Sequence, residues 1–260
     1  MSIANCGHDE RGKYHGGAAG DQTGTEYYVR SWYNFGQNHV LRPPTTDIGN
    51  AVAKKSKAAA DNPNIGYDQY DRASYPKALK AAGWDPAKIK VKCETDCSGS
   101  TIVAIIAVGH QLGIKELQSL SPDLYTGNIR KALVAAGWKD LTDKKYLSSD
   151  AYLLPGDLNL REGHHINVNL TKGSKAGDET YPKDAANQKQ SKSAPYYPKY
   201  AGSSKKIDVV FAAIGVDEKY RGSWQKRKPV AVANSMIGYT GKESENLTLI
   251  ELAKKGKLKK

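Results

Sequence analysis

Asp96-Cys97-Ser98-Gly99-Ser100-Thr101-Ile102-Val103-Ala104-Ile105-Ile106-Ala107-Val108-Gly109-His110-Gln111-Leu112-Gly113 is the stretch on which the reading of the chain turns. Its apolar run is too long for a typical buried strand and is closed by a glycine, which predicts a buried helix over residues 97–112. The run falls well short of the roughly 20 residues of a membrane span, and no longer one occurs, so no membrane span is expected. Cys97 sits at the predicted helix start, facing unpaired backbone N–H groups and the positive end of the helix dipole. That setting favours thiolate over thiol and predicts a lowered pKa, as a nucleophile requires. The same turn offers an amide to a developing oxyanion. The competing reading is a buried, inert cysteine.

Outward from this helix, others are predicted over residues 47–61, 75–82 and 128–136, the last two ending at Gly83 and Gly137. After Pro155-Gly156-Asp157 come two short strand-like runs, Leu158-Asn159-Leu160 and His165-Ile166-Asn167-Val168-Asn169-Leu170, the second alternating apolar and polar residues. Helices first and strands later argue an α+β domain, not a doubly wound sheet. Residues 171–206 are rich in Lys, Ser, Gly and Pro and read as a linker. The expected division is a large domain over 1–170, the linker, and a small helical module over 207–260. That module has helix-like pieces at 207–214, 227–234 and 244–255, anchored by Val210, Phe211, Trp224, Val232, Leu249 and Leu252.

A chain of 260 residues, 39% hydrophobic, excludes collagen-like, mini-protein and wholly disordered classes. Thirty-nine Lys and Arg against 27 Asp and Glu give a net charge of +12, which suits a polyanionic partner such as nucleic acid, acidic lipid or anionic wall polymer. Surface lysines serving solubility alone would give the same number. The aromatics lack the interleaved basic stripe of single-strand binders, which disfavours nucleic acid. Three cysteines, Cys6, Cys93 and Cys97, are too few for a disulfide framework or a closed zinc site, and Cys93 reads as buried and inert. The N-terminal residues lack the basic and apolar regions of a secretory signal.

A thiol nucleophile needs a base, and His8, His15, His39, His110, His164 and His165 are available. His110 lies in the apolar helix. His164 and His165 open the alternating strand, one side chain on each face. A metal-binding role for that pair lacks further ligands at recognisable spacing.

Taken in order, Asp96-Cys97-Ser98, Gly156-Asp157-Leu158-Asn159-Leu160 and Gly163-His164-His165-Ile166-Asn167-Val168-Asn169-Leu170 resemble the NlpC-type cysteine peptidases, papain-like hydrolases of bacterial peptidoglycan. The likeness is greatest to the branch found in endolysins of phages of Gram-positive bacteria. It extends to Gly17-Ala18-Ala19-Gly20-Asp21-Gln22-Thr23-Gly24-Thr25-Glu26, to Arg30-Ser31-Trp32-Tyr33 and to Asn64-Ile65-Gly66-Tyr67-Asp68-Gln69, and so covers nearly all of residues 1–170.

The resemblance implies a papain-like catalytic domain, a short antiparallel sheet packed on helices, with Cys97 as nucleophile and His165 as base; Asp96 and Ser98, which flank the nucleophile, and His164 are expected to contact substrate. The usual imidazole-orienting residue would fall within 172–179, which reads as linker. Asn167, two residues along the strand on the same face, is one alternative; Asp21 and Glu26 are others. Asp21, Gln22, Glu26, Arg30 and Trp32 would suit a groove wall gripping a peptide that bears carboxylates and amides, although so many glycines also suit plain turns. The C-terminal segment resembles short modules of other phage lysins, which implies wall binding, with anionic wall polymers as ligands for its net +5; a dimerisation or solubility appendage is the alternative.

The expected function is an endolysin-like endopeptidase of Gram-positive peptidoglycan that needs no metal or organic cofactor. It would be made in the host cytoplasm without a signal peptide and reach the wall through a holin pore or from a virion. The alternatives are an N-acetylmuramoyl-L-alanine amidase with the same nucleophile, a cysteine acyltransferase, or a non-catalytic wall- or nucleic-acid-binding protein.

Overall fold

Strands Ser2–Cys6 (β1), Tyr27–Ser31 (β2) and His39–Arg42 (β3) precede the first helix, Thr46–Ala60 (α1), which starts where the Thr45 hydroxyl accepts the Ile48 N–H at 3.3 Å. The order continues with Ile65–Tyr67 (β4), Ser74–Ala81 (α2), Cys93–Thr95 (β5), Cys97–Leu112 (α3), Lys115–Gln118 (α4), Ile129–Ala135 (α5), Lys139–Leu141 (β6), Lys144–Leu147 (α6), Leu158–Arg161 (β7) and His165–Asn169 (β8). The structure, a computed structural model, describes residues 1–184 and 196–260, and the chain divides into two compact units, Met1–Ala185 and Ala186–Lys260.

The first unit is α+β. Six strands form an antiparallel sheet in the order β2-β1-β8-β7-β3-β6, and β4 and β5 pair in parallel beside it. Helices α1 and α3 lie against the sheet face that carries Ala4, Cys6, Ile166 and Val168. Every residue of α3 from Cys97 to Gly109 is buried, which is why its sequence shows almost no polar face. The helix ends at Gly113, whose φ of +69° is the left-handed closure that glycine takes without strain.

The expected helices coincide with α1, α2, α3 and α5, but the expected order of helices before strands does not hold, because β1, β2 and β3 come first and the sheet draws on both ends of the unit. The linker reading is corrected on both sides. Ala176 and Tyr181 are buried beside Leu154, and Glu179 pairs with Arg42, so residues 171–184 are folded into the first unit despite their polar composition. Tyr197 and Tyr200 pack on the core of the second unit. Residues 185–195 of the proposed linker lie outside the described residues.

The Gly156-Asp157 motif serves the fold. Arg42 is buried on β3 and holds Asp157 through both Nε and Nη2, the latter at 2.8 Å, while Asp157 also accepts the Leu154 N–H. A Cβ on Gly156 would collide with the backbone of Gly49 in α1, so this turn requires glycine.

The second unit contains helices Ile207–Ala213 (α7), Trp224–Ala233 (α8) and Glu243–Lys254 (α9). Val210, Phe211, Val230, Tyr239, Leu249 and Leu258 form its core. Trp224 and Val232, expected inside, are 38% and 44% exposed, because α8 turns Val230 and Ala231 inward instead.

Candidate functional site

Cys97 is the first residue of α3, and Asp96 caps the helix: its Oδ1 accepts the Gly99 N–H and the Ser98 hydroxyl, the latter at 2.9 Å. Its other oxygen faces Arg72 Nε at 3.3 Å. The Cys97 side chain is 8% exposed. Burial, with the nearby Asp96 carboxylate second, pushes the thiol up to about 12, and the backbone N–H groups of Ile166 and Ser98 and the charge of Arg72 only partly oppose this. The helix start was expected to lower this pKa; desolvation outweighs it and the thiol stays protonated.

His165 reaches the same place from the opposite side of the chain. The β7–β8 hairpin turns through Glu162, Gly163 and His164, with Gly163 at φ +78°, and this three-residue loop sets Arg161 opposite His165. Strands β1 and β8 pair at Ile3–Asn169 and Ala4–Val168. Continuing that register sets Asn5 opposite Asn167, diagonal to His165 on the same sheet face. The contact follows: His165 Nε2 lies 3.0 Å from Asn5 Oδ1. The Tyr33 hydroxyl donates to the same oxygen at 3.4 Å, and the Phe35 ring meets the imidazole edge-on at 5.2 Å. A Cβ at Gly7 would press on the Asn5 amide, so glycine there leaves Asn5 its room. Because Asn5 Oδ1 can only accept, Nε2 carries the hydrogen and Nδ1 is left as the free base. Burial, reinforced by the positive charge of Arg30, pushes the imidazole down to about 4.

Cys97, His165 and Asn5 line one cavity of about 650 Å³. Of the other candidate site residues singled out in the sequence, His8, Arg30, Asp96, Ser98 and His164 also line it. The rest are held elsewhere. Asn167 is buried with its Oδ1 accepting from Asn159 at 2.8 Å, so Asn5 and not Asn167 holds the ring. Asp21 closes its own turn by accepting the N–H groups of Thr23, Gly24 and Glu26. Gln22 Nε2 donates to the Ala19 and Gly20 carbonyls. Glu26 is buried and accepts the N–H groups of Gln22 and Tyr67, pinning the opening loop to β4. Trp32 packs with Val40 and Leu141 in a separate small core. Asp21, Gln22, Glu26 and Trp32, expected in a groove wall, do not line this cavity: the polar groups of the first three satisfy the loop backbone, and the Trp32 ring is packed.

Cys6, Cys93 and Cys97 are all free thiols, and burial pushes Cys93 up to about 12. Among the described residues no group of three or more His, Cys, Asp or Glu is placed to hold a metal ion, and no helix is long and apolar enough to cross a membrane.

The fold and cavity define an α+β domain with a thiol, an imidazole and a carboxamide gathered at one end of an antiparallel sheet. A family model described as an endolysin-like domain matches residues 3–176, and the chain belongs to that family. Membership gives it an endolysin-like, cell-wall-related function. No curated protein and no solved structure matches the chain.

Proposed function

We propose that the chain is a papain-like cysteine hydrolase of the NlpC type that cleaves an amide bond in the peptide of Gram-positive peptidoglycan. The observation that carries this reading is the 3.0 Å contact between His165 Nε2 and Asn5 Oδ1 in the cavity that Cys97 also lines. The Cys97 thiol transfers its proton to His165 Nδ1 as the sulfur attacks the amide carbonyl. The oxyanion lies at the start of α3, near the Cys97 N–H, and the imidazolium then protonates the leaving amine. Water, with its proton taken by the same nitrogen, hydrolyses the thioester and restores the thiol. Asn5 positions the ring throughout. The basic second unit, with net charge +5 over 207–260, would hold the enzyme on anionic wall polymer.

Purified protein is expected to clear Gram-positive cell walls, and mass spectrometry of the released muropeptides is expected to show new amino termini within the stem peptide. Release of intact stems starting at L-alanine would indicate the amidase instead, and no soluble fragments at all would sink the reading.

Two further outcomes follow from the site. Asn5→Ala frees the imidazole to rotate and should lower kcat by about 100-fold, with the folded state intact by circular dichroism. The acid limb of kcat/KM should fall near pH 4 and not near the ordinary imidazole value of about 6.5. A depressed histidine pKa keeps the base form available until the pH drops through the folded value, so activity should be flat from neutrality down to about pH 5.

A further inference from the structure

Residues 1–184 contain six arginines, and four of them hold carboxylates: Arg11 with Asp9 at 2.6 Å, Arg42 with Asp157 at 2.8 Å, Arg72 with Asp96 at 3.3 Å and Arg130 with Glu162 at 3.1 Å. The two without a carboxylate partner among the described residues are Arg30 and Arg161, and both line the Cys97 cavity. Asp96 is the sole acid among the described residues lining it, and both its oxygens are engaged, by the helix cap and by Arg72. The cavity thus presents two positive charges that the protein leaves uncompensated.

Their placement is ordered by the sheet. Arg161 on β7 stands directly opposite His165 on β8, and Arg30 lies on β2, on the far side of β1. The imidazole therefore sits between them. Three strand spacings separate β2 from β7, about 14 Å, which is the length of roughly four residues of extended peptide. Aromatic rings hold Arg30: its guanidinium lies 4.2 Å from the Tyr33 ring centre and donates to the Tyr28 hydroxyl at 3.1 Å, so N–H donors remain for a ligand.

We infer that the site takes a stem peptide with free carboxylates on both sides of the scissile amide, one held by Arg30 and the other by Arg161, and discriminates against the same peptide amidated at those positions. This rests on the hydrolase reading above and adds the substrate class. A guanidinium gives a carboxylate two charge-assisted hydrogen bonds, whereas a carboxamide offers one neutral acceptor and turns its own donors toward the positive charge.

The test uses the full chain and a synthetic stem peptide with free carboxylates beside its fully amidated counterpart, with kcat/KM read by chromatography at pH 7. The free-acid peptide should be cleaved roughly 10- to 100-fold more efficiently. Arg30→Gln and Arg161→Gln should each bring the ratio of acid to amide toward one, and peptides amidated at a single position should assign each arginine to its side. Equal cleavage of both peptides by the wild type, or a ratio that neither substitution alters, overturns the inference while the hydrolase stands. If neither peptide is cleaved, the hydrolase reading fails for this substrate, and calorimetry decides the inference alone. Tighter binding of the acid that Arg30→Gln weakens supports it; equal or no binding overturns it.

Discussion

Cys97→Ala should abolish wall clearance, with a loss of order 10⁴-fold or more in kcat, while the melting temperature stays near that of the wild type. The sulfur is the only group in the proposed mechanism that bonds to substrate, so no neighbour replaces it. His165→Ala should cost nearly as much, and the double variant should be little worse than either single one, because thiol and imidazole act as one unit. Turbidity loss of purified walls measures this directly. Undiminished lysis by Cys97→Ala would transfer the activity to another residue and overturn the Cys97–His165 reading. Burial raises the Cys97 thiol and lowers the His165 imidazole, which favours the neutral form of each, so in the proposed mechanism the proton would move as the sulfur attacks.

Asp157→Ala should destabilise the first unit by about 3–5 kcal/mol, a drop of roughly 10 °C in its melting temperature. The change leaves Arg42 buried, with its Nε unpaired and one of its two acidic partners gone. Glu179 remains, at 2.6 Å from Arg42 Nη1, but Glu179 is also shared with Lys145 and with the Tyr146 hydroxyl. The Leu154 N–H loses its acceptor as well. Replacing both partners, Arg42→Met with Asp157→Leu, should recover part of the loss, since two apolar side chains avoid the cost of a lone buried charge. Calorimetry resolves the difference. A melting temperature unchanged in Asp157→Ala would mean that the pair is not the clamp its burial indicates.

That Cys97 and His165 line one cavity was foreshadowed in the sequence, because the signals of this candidate site are local. Cys97 announces itself by the apolar run that follows it and by the glycine that ends the run. His165 announces itself by the glycine-bearing turn before it and the alternation after it. Asn5 had no such signal. Ser2-Ile3-Ala4-Asn5-Cys6 is too short and too polar to stand out as a strand, and its partner on the imidazole lies 160 residues away along the chain. Only the pairing of β1 with β8 brings the two together, and register between distant strands is not written in either segment alone. The same holds for Arg161, whose meaning depends on which strand it faces. The opening segment failed for the opposite reason: Asp21, Gln22 and Glu26 have the chemistry of a binding site, but a glycine-rich loop needs that chemistry for its own backbone. The thiol pKa was misjudged because a sequence shows a helix start and does not show how deeply it is buried.

The protonated state of Cys97 has a bearing on handling as well as on catalysis. Peroxide converts thiolates to sulfenic acid and reacts slowly with thiols, so the desolvation that keeps the hydrogen on this sulfur also shields it from air. Stocks stored without reductant should therefore keep whatever activity Cys97 carries.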